Sequence, residues 1–91
     1  MMEKAQVTVN HEVGLHARPA TQFIKLASQF PSNIKIRNLT TDSKEVNAKS
    51  MMHIMTLAVK SGHTVEISAD GEQSAEAVKA LVDLINSNFG E

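Results

Sequence analysis

Apolar and polar residues alternate from Ala5 to Val9, with Ala5, Val7 and Val9 on one side and Gln6 and Thr8 on the other. A period of two predicts a strand with one buried face. Residues 10–15, which include Gly14, read as a loop. From Ala17 the period lengthens: Ala20, Phe23, Ile24 and Ala27 fall at i, i+3, i+4 and i+7, the stripe of an amphipathic helix. Pro31 cannot continue a helix, so the spacing predicts an end near Phe30. Ile34 and Ile36 restore the alternation and predict a second strand over 33–38, followed by a polar turn over 39–43. A third, short strand is expected around 44–48, with Val46 and Ala48 on one face, closing a hairpin whose connection exceeds the tightest turns. Ser50 precedes Met51, Met52, Met55 and an apolar stretch to Val59, which predicts a helix of about two turns, broken at Ser61-Gly62. Val65, Ile67 and Ala69 mark a fourth strand and Asp70-Gly71 a turn. Val78, Leu81, Val82, Ile85 and Phe89 then predict the longest helix, over 73–88.

The order is β-α-β-β-α-β-α. Because every strand alternates, one face of the sheet is buried and the other meets water. The expected class is therefore α+β, an open-faced two-layer sandwich with helices on one side of the sheet. At 91 residues the chain should form one domain, 1–91, with a single small core, and there is no internal repeat, linker or low-complexity segment.

Charge and composition narrow the function. The net charge is -1, with no acidic or basic tail, whereas nucleic-acid binding rests largely on basic residues that neutralise phosphates. Phe23, Phe30 and Phe89 are the only aromatics and none lies in a strand, so a base-stacking platform is absent. The chain has no cysteine, which removes disulfides, thiolate catalysis and thiolate metal sites and fits a cytoplasmic protein. No apolar run approaches the ~20 residues that span a bilayer, and no segment of signal-peptide type follows Met1-Met2-Glu3-Lys4. Membrane insertion and nucleic-acid binding are thus not expected.

Candidate chemistry concentrates in Gly14-Leu15-His16-Ala17-Arg18-Pro19-Ala20. His16 stands immediately before the first helix, at or near its N-cap. Pro19 falls in the first turn, where its missing N–H costs nothing. The free N–H groups of Ala17 and Arg18 should point towards the space beside the imidazole. A helix N-terminus attracts anions, and Arg18 adds a guanidinium fork suited to phosphate oxygens. The same positive end disfavours an imidazolium, leaving a nitrogen lone pair free to attack. Once a phosphoryl group is attached, the sign reverses and the dianion is held by the N–H groups and Arg18. The plain alternative is that His16 merely flanks a helix and Arg18 is a solvated charge, and spacing alone does not separate the two.

The same seven residues resemble the active-site signature of the HPr family, the histidine-containing phosphocarriers of the bacterial sugar phosphotransferase system. Asn47-Ala48-Lys49-Ser50-Met51-Met52 resembles the family's second motif, around a regulatory serine, and Val65-Glu66-Ile67-Ser68-Ala69-Asp70-Gly71-Glu72 resembles its final strand and turn. The resemblance covers nearly the whole chain. It implies a four-stranded antiparallel sheet with three helices on one face. It further implies that His16 is phosphorylated on a ring nitrogen, Nδ1 in the family, by enzyme I using phosphoenolpyruvate, and that the group passes to IIA domains of sugar transporters with help from Arg18. The protein would then be a covalent intermediate rather than a free-standing enzyme, with no cofactor, and nothing calls for more than a monomer.

Ser50 would be the position that a dedicated kinase phosphorylates, and a phosphorylase restores, in many Gram-positive relatives. Some such proteins dock a transcriptional regulator. By itself Ser50 is simply a good N-cap, contributing about 1 kcal/mol, and a phosphoserine there would be tolerated by the helix dipole. Methionines at helical spacing are most often core. A two-turn helix cannot bury every side, however, so one or two of Met51, Met52 and Leu57 are expected to be exposed as an adaptable patch. The resemblance names Met51 and Met52 as docking residues, with Met55 beside them.

The chain departs from the family in having His53 on that helix, where Gly or Lys is usual, and about three extra residues between the second and third strands. His11 and His63 have no motif partner and read as surface residues. No metal site is expected, since a pair of His11 and His16 would lack any further ligand at useful spacing beyond Glu12. Other functions compatible with the fold are a regulatory binding module, an exclusive role against which an intact His16 and Arg18 argue, a carrier in a nitrogen-related or other specialised chain, and a ligand-binding domain with a pocket and no reactive histidine.

Overall fold

In a computed structural model, which describes residues 2–90, the chain forms β1 (Met2–Thr8), α1 (Ala17–Ala27), β2 (Asn33–Asn38), β3 (Val46–Asn47), α2 (Met51–Met55), β4 (Thr64–Asp70) and α3 (Ser74–Asn86), then a 3-10 turn at Asn88–Gly90. The sheet runs β1-β4-β2-β3 and is antiparallel throughout. β1 and β2 are thus parallel to each other with β4 between them, and α1 crosses over to join them. β3 and β4 are joined in the same way through α2, so the fold interleaves two split β-α-β units.

Register explains the layering. Ala5, Ile67 and Ile36 lie in one row across three strands, and Val7, Val65 and Asn38 in the next. These rows face the helices. α1 contributes Pro19, Ala20, Phe23 and Ala27, α3 contributes Ala77, Val78, Leu81 and Ile85, and α2 contributes Ile54 to the core they share. The opposite face carries Lys4, Glu66, Lys35 and Arg37 and has no helix over it.

Several boundaries differ from the periodicity. β1 starts at Met2 rather than near Ala5, because Met2 to Thr8 pair without a break with Asp70 to Thr64. α1 stops at Ala27; the C-cap Ser28 N–H still reaches Ile24 O, and beyond it the bonds tighten to i→i−3, from Gln29 N–H to Leu26 O and Phe30 N–H to Ala27 O. The residue before a proline is pushed out of the helical region, and the loosening spreads back from Phe30. Lys49 Nζ then donates to the carbonyls of Phe30 and Ser32 at 2.7 and 2.9 Å, capping the frayed end. β3 is only two residues long, and α2 is five residues rather than two full turns. α3 ends at Asn86, where Asn88 and Phe89 both adopt φ 57° and turn the Phe89 ring back into the core. Spacing alone reads Phe89 as one more helical position.

Two histidines differ from expectation. His11 is buried, not superficial, and meets Phe89 edge-on at 5.6 Å between ring centroids. His63 is half-buried and hydrogen-bonded. Of Met51, Met52 and Leu57, the two methionines are exposed, at 39% and 77%, and Leu57 is buried, in keeping with one or two of the three being exposed.

Candidate functional site

His16 is the N-cap of α1, with extended backbone (φ -104°, ψ -168°) and a ring that makes no capping hydrogen bond. Its carbonyl accepts the first helical bond, from Ala20 N–H at 2.7 Å. Pro19 has no N–H to offer, so Ala17 and Arg18 supply the first-turn donors, and neither donor has an acceptor among the described residues. The first turn of α1 also contains no acidic residue. The positive end of the helix is therefore uncompensated beside an exposed imidazole. Arg18 is exposed too and makes no ion pair or hydrogen bond among the described residues.

Gly14 makes this placement possible. Its φ of 67° suits glycine, and a Cβ there would collide with the carbonyl of Val59 and lie 2.8 Å from Lys60 Cα. The bare backbone instead lies flat against that of Val59–Lys60. Gly14 N–H donates to His11 O at 2.8 Å and Leu15 N–H to Val59 O at 3.0 Å. Leu15 is buried, which anchors the residue immediately before His16.

A cleft of about 280 Å³ opens beside His16, walled by Val13, Leu15, Met55, Ala58, Val59 and Lys60. The structure thus brings Met55 to His16, while Met51 and Met52 stand on the outer surface of α2 and do not line the cleft. Ser50 is half-buried at the N-cap of α2, where its Oγ accepts from His53 N–H at 3.3 Å. His53 is exposed. No cluster of three or more His, Asp or Glu that could hold a metal ion exists among the described residues.

Lys60 and Ala58 enter the cleft from a segment more than forty residues after His16, and no motif of the sequence marks them. Ala58 has φ 47°, a left-handed conformation for a residue with a Cβ, and this too has no mark in the alternation of apolar and polar residues. The signal that was available is indirect. Asn38 continues the inward-facing positions of Ile34 and Ile36 yet is polar and fully buried.

The family model described as "PTS HPr component phosphorylation site" matches residues 3–87. The chain is 42% identical over 90 residues to a phosphocarrier protein HPr of Neisseria meningitidis, covering 99% of this chain and 98% of that one. It is 40% identical over 87 residues to a multiphosphoryl transfer protein of Salmonella typhimurium, of which the match covers 23%. The crystal structure of HPr-C-His from Thermoanaerobacter tengcongensis is similar with a TM-score of 0.92 and 48% identity, over 98% of this chain and 97% of that one. No helix among the described residues is long and apolar enough to cross a membrane. On the match of both sequence and architecture over nearly its full length, this chain belongs to the HPr family of phosphocarriers of the phosphotransferase system.

Proposed function

We propose that this chain, acting as one monomeric domain, takes a phosphoryl group onto His16 from phosphorylated enzyme I and gives it up to IIA domains of sugar transporters. The observation that carries the reading is the placement of His16: an exposed ring at the N-cap of α1, beside two N–H groups and Arg18, all without a hydrogen-bond partner among the described residues. A ring nitrogen, Nδ1 by family resemblance, attacks the phosphorus with its lone pair. The new P–N bond forms as the bond to the donor breaks, and the leaving group departs with its electron pair. The N–H groups of Ala17 and Arg18 and the guanidinium hold the resulting dianion. The hold is open to solvent rather than enclosed, which suits a group that must be surrendered again. Positioning and charge stabilisation supply the catalysis, shared with each partner.

Met51, Met52 and Met55 form the docking surface in this reading. Two of them are exposed on α2 and the third reaches the cleft. Flexible thioether side chains adapt to more than one partner. Phosphorylation of Ser50 by a serine kinase would put negative charge at the edge of that surface and weaken an acidic partner's binding.

The test is to incubate the protein with enzyme I and labelled phosphoenolpyruvate, then add a IIA domain. The label should be acid-labile and base-stable, absent from His16→Ala, and discharged by the IIA domain. Label retained in His16→Ala would remove His16 from the mechanism.

A further inference from the structure

The wall of the cleft opposite α1 is irregular backbone, and a buried polar pair holds it in place. Asn38 is fully buried in the inward row of β2. Its Oδ1 accepts from Thr40 N–H at 3.0 Å, which fixes the orientation of the amide, so Nδ2 is the donor. Nδ2 donates to Leu57 O at 3.2 Å and to His63 Nδ1 at 3.0 Å. Lys60 N–H donates to the same His63 Nδ1 at 3.2 Å. Two donors meeting one ring nitrogen require its lone pair, so the ring proton of His63 sits on Nε2. His63 N–H returns a bond to Lys60 O at 3.0 Å.

This knot is tied to the histidine loop at two places. Val59 O accepts from Leu15 N–H at 3.0 Å, and the Lys60 backbone is the surface on which Gly14 rests. The path from Asn38 through His63 and Lys60 to Gly14, Leu15 and His16 is therefore continuous in hydrogen bonds and close packing. The loop on the other side is pinned as well, by Val9 N–H to His63 O at 2.9 Å and Gly62 N–H to Val9 O at 2.7 Å.

We infer that Asn38 and His63 are positioning residues for phosphoryl transfer at His16. By fixing Val59–Lys60 they set where Leu15 and Gly14 lie, and so the angle at which His16 enters α1. They also hold the Lys60 backbone in the wall of the cleft beside His16. Displacement of a reacting group by as little as 1 Å costs about a hundredfold in rate, so a residue that touches no phosphate still governs transfer. The inference rests on the carrier reading of His16.

The native protein offers the first test, by NMR of its ring nitrogens: His63 should carry its proton on Nε2, and a proton on Nδ1 would overturn the inference. The second compares His63→Ala with His63→Asn, whose Oδ1 lies about where Nδ1 stood, in transfer from phosphorylated enzyme I. His63→Ala should lower kcat about tenfold or more while the KM of enzyme I for the chain stays unchanged, and His63→Asn should recover most of the loss. A His63→Ala variant with native kcat, a loss confined to KM, or no recovery in His63→Asn contradicts the proposal. If His63→Ala does not fold, His63→Asn decides alone, supporting the proposal at near-native kcat and overturning it at a tenfold loss. These outcomes are separable from the carrier reading, which fails if the native chain itself takes no label.

Discussion

Gly14, which packs on the Val59–Lys60 backbone, and Ala58, which immediately precedes that backbone, have opposite problems. Gly14 has the left-handed backbone it needs, and no room for a side chain. Gly14→Ala adds both backbone strain and a collision with backbone atoms that cannot yield, so a loss of about 2 kcal/mol or more is expected by denaturant unfolding. Ala58 occupies a similar region with a Cβ, at φ 47°. Releasing that strain is worth about 1–2 kcal/mol, and the extra freedom of an unfolded glycine costs about 0.4–1 kcal/mol. The first is larger, so Ala58→Gly should raise stability by about half a kcal/mol; a fall in the unfolding midpoint would show that the loop is not strained there. Part of this was legible in the sequence and part was not. The active-site motif is contiguous, so His16, Arg18 and Gly14 could be read together. Asn38 could have been noticed as a polar residue at an inward position, but its partner His63 lies twenty-five residues away and only folding joins them.

At the scale of elements, the shortest helix depends most on its cap. A five-residue helix has almost no stability of its own, so Ser50 Oγ matters more here than at the end of a long helix. Ser50→Ala should cost about 1 kcal/mol. Ser50→Asp keeps an acceptor and adds a favourable charge at the helix N-terminus, so its stability should stay within about 0.5 kcal/mol of native. Transfer from enzyme I should nevertheless slow in Ser50→Asp if Met51 and Met52 form the proposed docking surface, because the charge adjoins them. An unchanged rate would count against regulation through this serine. The longer strands and the helices α1 and α3 were readable from periodicity because each turns an apolar face to the core, whereas β3 and α2 were read from short apolar stretches and came out shorter than expected. The ends of α1 and α3 were not readable, because other forces decide them: Pro31 shortens α1, and the left-handed pair Asn88-Phe89 ends α3 before its last apolar residue. The same reversal buries His11 against Phe89, a contact that no local pattern announces.

Across the whole molecule, a single layer of helices on one face of the sheet makes one core, with Phe23 at its centre. Phe23→Ala should cost about 3–5 kcal/mol, a large share of the roughly 5–15 kcal/mol that holds a domain together. A midpoint shift of under a degree in thermal unfolding would mean the core is not continuous as described. The site, by contrast, is built outside this core. His16 is exposed and its ring has no hydrogen bond among the described residues, so His16→Ala should leave the unfolding midpoint nearly unchanged while abolishing transfer. Core and site thus occupy different parts of the molecule, joined where Leu15 is buried beside its exposed neighbour and where Gly14 rests on the backbone that Asn38 and His63 hold. The central claim is that the phosphoryl group is bonded to His16 and held by the start of α1. NMR of the nitrogen-labelled protein before and after phosphorylation by enzyme I tests it most directly. The account predicts one phosphorus-coupled ring nitrogen, on His16, and the largest amide shifts at Ala17 and Arg18. Phosphorus coupling at another histidine, or amide shifts centred away from the α1 N-terminus, would contradict it.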